Sequence, residues 1–131
     1  MKVAFASSDN QHIDKHFGQA TTFHLWEIGL SGSNYLGPVE MGSEGEGDED
    51  RIVSKANALQ GCAIACSMQI GGPAAAKLVA RRIHPMKTQA VVPIAEMITK
   101  LETVLQGDTP PWLAKTLGLP NKRTLTPEME D

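Results

Sequence analysis

Two histidines stand four residues apart near the start of the chain, His12 and His16, with Asp14 between them. On a helix both imidazoles would share a face and could approach one metal ion. Asn10 and Gly18 argue against a long helix there, which weakens a two-histidine site; the plain alternative for either residue is a solvent-exposed loop side chain. Cys62 and Cys66 form a second spaced pair. On a strand their α-carbons would lie roughly 13 Å apart, too far for a disulfide or one shared ion. They are expected to share a face as buried thiols, with Cys66 the better candidate ligand because it lies nearer the strand's carboxyl end. The run Gly71-Gly72-Pro73-Ala74-Ala75-Ala76-Lys77 offers a third kind of chemistry. Glycines allow close backbone approach, and the helix start behind them presents unpaired N–H groups and a positive dipole end to an anion. Its spacing is not that of a phosphate loop, and a simple tight strand-to-helix turn is the competing reading.

These groups need elements to hold them. Residues 2–7 alternate, Val3 and Phe5 on one face and Ala4 and Ala6 on the other, as in a covered central strand. Residues 8–20 are polar and without period, hence a loop at that strand's carboxyl end, where open α/β sheets place ligand crevices. Residues 22–28 read as a second strand, 29–34 as a turn, and 35–41 as a weaker strand that Pro38 puts at an edge. The acidic, glycine-rich stretch 42–50 reads as a solvated loop. A helix follows over 48–60, with Ile52, Val53, Ala56 and Leu59 at helical spacing and Gly61 as a stop. The apolar run 62–68 suits a buried parallel strand. Gly71-Gly72-Pro73 opens a helix through Arg82, with Pro73 at its first position. A short strand lies within 83–92, beginning at His84, whose place at the amino end of the sheet favours a structural role. His24, beside Trp26 at alternate spacing, is expected to pack. The last helix spans 93–106, with Ile94, Met97, Ile98, Leu101 and Leu105 on one stripe and Gly107 just past its end.

Three strands, then helices alternating with strands, predict an α/β fold: an antiparallel meander extended by parallel strands in one mixed sheet with flanking helices. If the first strand neighbours the 62–68 strand, the His16 loop and the Gly71-Gly72 turn flank one crevice. Residues 1–109 form the domain. Residues 110–131 form a tail that is expected to dock in part through Trp112 and Leu113 and to be mobile at its end.

The chain has 131 residues, enough for one domain that folds without disulfide or metal. A net charge of −3 and 5% aromatic residues disfavour a nucleic-acid binder. Two cysteines and no long apolar run point to a reducing, cytoplasmic setting without a membrane span. GxSxG, HExxH and CxxC motifs are absent, and a binding protein is a better reading than an enzyme. Two other classes stay open: a metal-dependent hydrolase using Asp9, Asp14 and the histidines, and a metal-free interaction module.

Five segments together carry a resemblance: Lys2-Val3-Ala4-Phe5-Ala6-Ser7-Ser8-Asp9, Ile13-Asp14-Lys15-His16-Phe17-Gly18, Ile70-Gly71-Gly72-Pro73-Ala74-Ala75-Ala76, Ile83-His84-Pro85 and Pro110-Pro111-Trp112-Leu113. In this order and separation they resemble the dinitrogenase iron–molybdenum cofactor biosynthesis family, in its small single-domain form, over nearly the whole chain. The resemblance implies a ribonuclease H-like fold with a mixed five-stranded sheet and no nuclease activity. It implies transient binding of iron–sulfur precursors of the cofactor, the core cluster included. It also implies passage of the cluster from the radical enzyme that builds it to the scaffold complex that matures it. His16 is the ligand that it implies. Lys15 and the helix-start N–H groups behind Gly71 and Gly72 could complete a reversible hold on an anionic cluster. Neither cysteine belongs to the resemblance.

Overall fold

The computed structural model describes residues 1–41 and 48–107. The acidic stretch at 42–47 lies outside the described residues, as does everything from 108 onward, including the expected docking of Trp112 and Leu113.

The elements run β1 (Lys2–Ala6), β2 (His12–Ile13), β3 (Thr22–Gly29), β4 (Gly32–Glu40), α1 (Asp48–Ala58), β5 (Ile64–Ser67), α2 (Gly72–Ala80), β6 (His84–Lys87), β7 (Val92–Pro93) and α3 (Ile94–Gln106). Among the described residues five strands form one sheet in the order β4-β3-β1-β5-β6, and β2 pairs with β7 in a small separate ladder. β1 is antiparallel to β3 and parallel to β5; β3 and β4 are antiparallel, and β5 and β6 parallel. This is the mixed α/β sheet read from the sequence. Pro38 does lie on an edge strand, where a missing N–H costs no ladder bond.

The alternation in β1 sorts the core into two layers. Ala4 and Ala6 face Phe17, Phe23, Ala56 and Leu59 of one layer, with Ala74 and Leu78 of α2. Val3 and Phe5 face Ile94, Met97, Ile98 and Leu101 of α3 in the other. α1 and α2 thus cover one face and α3 the other. No helix among the described residues is long and apolar enough to cross a membrane.

Several expectations are corrected. The third strand starts at Gly32, because Gly29 pairs with Gly32 and the turn shrinks to Leu30 and Ser31. The 8–20 loop contains β2. The stretch 83–92 splits into β6 and the start of β7, broken where Gln89 takes φ 65°. α1 ends at Ala58 and α2 at Ala80, each two residues early, and Pro73 is the second residue of α2. The cysteines do not share a face. Cys62 precedes β5 in a turn, its N–H bonded to Leu59 O at 3.0 Å, so strand alternation does not reach it. It packs in the α1/α2 layer, whereas Cys66 packs in the α3 layer.

Candidate functional site

β1 and β5 lie side by side and parallel, so the loops leaving their carboxyl ends meet. Backbone bonds join them: Phe17 N–H donates to Gln69 O at 2.8 Å and Met68 N–H to Lys15 O at 2.9 Å. The His16 loop and the Gly71-Gly72 turn therefore do flank one crevice. His16 carries an exposed side chain between two pinned neighbours, and its own carbonyl accepts from Gln19 and Ala20 N–H at 3.1 and 3.0 Å. Phe17 is 1% exposed and its ring packs 5.4 Å from that of Phe23. The buried ring anchors the turn and leaves Lys15 and His16 facing solvent.

Behind the turn opens a cleft of about 370 Å³ lined by Gly18, Arg51, Ile52, Lys55, Gly71, Pro73 and Ala74. One wall is the start of α2. Gly71 is its N-cap, in extended conformation, and no side chain among the described residues caps the first turn, so helix-start N–H groups and the dipole can face an anion. The other wall is α1, with Arg51 and Lys55. Lys55 is 9% exposed, and its Nζ donates to Phe17 O and Gly18 O, both at 2.9 Å. Burial pushes its ammonium below the ordinary lysine value, and the neighbouring Arg51 charge adds to that.

Arg51 and Lys55 were not singled out from the sequence. A signal was there for Lys55: it lies three residues after Ile52 and four before Leu59, on the inward stripe of α1. A lysine on such a stripe needs a partner for its charge.

His12 and His16 do not form a helical pair. Asn10 takes φ 58°, and His12 enters β2, opposite Pro93. The His12 ring Nδ1 lies 3.2 Å from Asp9 Oδ2. Asp9 also accepts from Gln11 and His12 N–H at 2.8 and 2.9 Å. These backbone bonds, then the His12 ring and Ser7, hold the Asp9 carboxyl well below the usual carboxylate range. Asp14 accepts from Ser8 N–H at 3.0 Å. Both aspartates are thus engaged in shaping the loop. Among the described residues no three or more His, Cys, Asp or Glu side chains converge to hold a metal ion.

Cys66 is fully buried beneath α3, its Sγ 3.8 Å from Met86 Sδ, and burial pushes its thiol up to about 12. A thiol so held is protonated at neutral pH and is a poor ligand without rearrangement. Cys62 is pushed up to about 11 for the same reason, with Lys2 opposing. His24 meets Tyr35, Nδ1 to OH at 2.8 Å, and Trp26 packs on the same tyrosine. His84 opens β6 opposite Ile64, at the amino end of the parallel strands and away from the crevice.

A family model described as "Dinitrogenase iron-molybdenum cofactor" matches residues 1–104. The chain is 36% identical over 132 residues to Protein NifX of Herbaspirillum seropedicae, covering 99% of this chain and 90% of that one. It is also 36% identical to Protein NifY of Azotobacter vinelandii, over 90% of this chain and 48% of the longer relative. A solved structure titled "Crystal structure of PH0822" shares the fold at TM-score 0.63 and 22% identity, over 79% of this chain and 91% of that one. With a family match spanning β1 to α3 and relatives alike along its whole length, the chain belongs to the dinitrogenase iron–molybdenum cofactor family and is of the NifX type.

Proposed function

We propose that the protein serves iron–molybdenum cofactor biosynthesis as a carrier, not as an enzyme. In this reading it binds an iron–sulfur precursor of the cofactor at the crevice between β1 and β5. It takes the cluster from the radical enzyme that builds it and yields it to the scaffold complex, in the cytoplasm. The observation that carries the reading is the exposed His16, next to Lys15 on a turn whose neighbouring residues are pinned by backbone bonds and whose Gly18 lines a cleft walled by Arg51, Lys55 and the start of α2. Imidazole is a competent iron ligand, and an anionic cluster gains from nearby cations and helix-start N–H groups. One side-chain ligand with electrostatic support suits cargo that must leave again. The same reading takes the fold as ribonuclease H-like, which the order of three antiparallel and two parallel strands supports. His12, engaged by Asp9, and Cys66, buried, would join the metal only after local rearrangement.

Anaerobic titration of the protein with the isolated iron–sulfur core cluster of the cofactor, followed by optical absorption, tests this. His16→Ala removes an exposed side chain, so its melting temperature should stay close to that of the parent, while affinity falls strongly. Unchanged affinity in the folded variant removes His16 from the site.

A further inference from the structure

We propose that Lys55 of α1 is a positioning residue for cargo binding: it clamps the backbone of the turn that presents His16. The inference rests on the reading of His16 given under the proposed function. Lys55 sits mid-helix on the inward stripe and reaches across to two successive carbonyls, those of Phe17 and Gly18, at 2.9 Å each. Its Nζ also lies 5.7 Å from the centroid of the Phe17 ring. A lysine ammonium has three donors and a large hydration energy to replace. Keeping it 9% exposed is costly, and the two carbonyls and the aromatic face are what offset that cost.

Two further anchors of the turn come from the 68–69 segment: Met68 N–H donates to Lys15 O, and Gln69 O accepts from Phe17 N–H. Lys55 of α1 supplies the bonds to Phe17 O and Gly18 O. His16 therefore lies between residues tied to the 68–69 segment and to α1. Groups that orient a metal ligand without touching the metal typically change affinity by about 10–100-fold when removed.

The test is a double-mutant cycle read by anaerobic titration with the isolated iron–sulfur core cluster of the cofactor, using Lys55→Met, His16→Ala and the two combined. Lys55→Met keeps the aliphatic stem and deletes the donors. If it fails to fold, Lys55→Gln, which keeps one amide donor group, replaces it in the same cycle. The expected result is affinity about tenfold weaker for the folded Lys55 variant, and a double variant no weaker than His16→Ala alone. A merely structural or independent role would instead make the two losses multiply, and that outcome overturns the proposal. Wild-type affinity in the Lys55 variant beside a crippled His16→Ala overturns it too, and leaves the His16 reading standing. Wild-type affinity in His16→Ala overturns the His16 reading itself.

Discussion

Cys66 has no contact with water: it is fully buried, and its thiol is pushed up to about 12 by burial alone. Unfolding returns it to the ordinary value of 9.0. Between those values the unfolded chain holds fewer protons than the folded one, so stability falls as pH rises. The contribution is complete below pH 9 and is lost progressively toward pH 12, at up to about 1.4 kcal/mol per pH unit. Urea unfolding of wild type and Cys66→Ala from about pH 8 to 10.5 checks this. The variant starts lower, because it leaves a cavity, but its stability should decline less steeply above pH 9. Parallel declines would mean that the thiol ionises in the fold. That Cys66 would be buried was legible in its apolar run, and that Cys62 would face the opposite layer was not. The side of the sheet that Cys62 joins depends on where β5 begins, and a turn bond to Leu59, invisible in composition, decides that.

The helices end in different ways, and the differences decide which boundaries could be read. α1 gives way to a turn closed by Gly61 at φ +97°, a conformation that favours glycine, so the stop was visible. α2 ends in a Schellman motif without glycine: Arg82 N–H bonds Val79 O and Ile83 N–H bonds Leu78 O, both at 2.9 Å, with Arg82 itself at φ 62°. Leu78 and Ile83 meet in one buried layer and hold the motif closed. An arginine in that conformation carries no mark in the sequence, which is why the helix reads on through Arg82 there. Two substitutions should act in opposite directions. Gly61→Ala should destabilise by roughly 1–2 kcal/mol, through the backbone, since among the described residues an added Cβ would meet only Lys2 Nζ at 4.0 Å. Arg82→Gly should stabilise by about 0.5–1 kcal/mol, the left-handed cost relieved less the added freedom of the unfolded chain. Denaturant melts decide both, and a loss of stability in Arg82→Gly would contradict the cap.

At the scale of the molecule, the sheet has two cationic ends and only one is proposed to take cargo. β1, its middle strand, was the most legible element, because large and small residues alternating without a polar face suit a strand covered on both sides. The crevice at its carboxyl end followed from strand order, but the α1 wall of that crevice did not. It depends on where a helix packs, a tertiary fact that only the inward-facing Lys55 betrayed. At the amino end, a second cleft of about 330 Å³ is lined by Met1, Lys2, Gly61, Cys62, Ala63, Arg81 and Arg82. Charge alone does not choose between the clefts in a protein of net charge −3. Topology does: loops that leave the carboxyl ends of parallel strands splay apart and can be built for binding, whereas at the amino end the chain enters the sheet through tight turns. Arg51→Ala should therefore weaken binding of the isolated iron–sulfur core cluster by about two- to fivefold, the range of one solvent-exposed charge, and the effect should shrink as salt is raised. The Arg82→Gly protein should bind as the parent does under the same conditions. If the Arg82 change weakens binding and the Arg51 change does not, the cargo sits at the amino end, and the crevice beside His16 is not where the cluster is held.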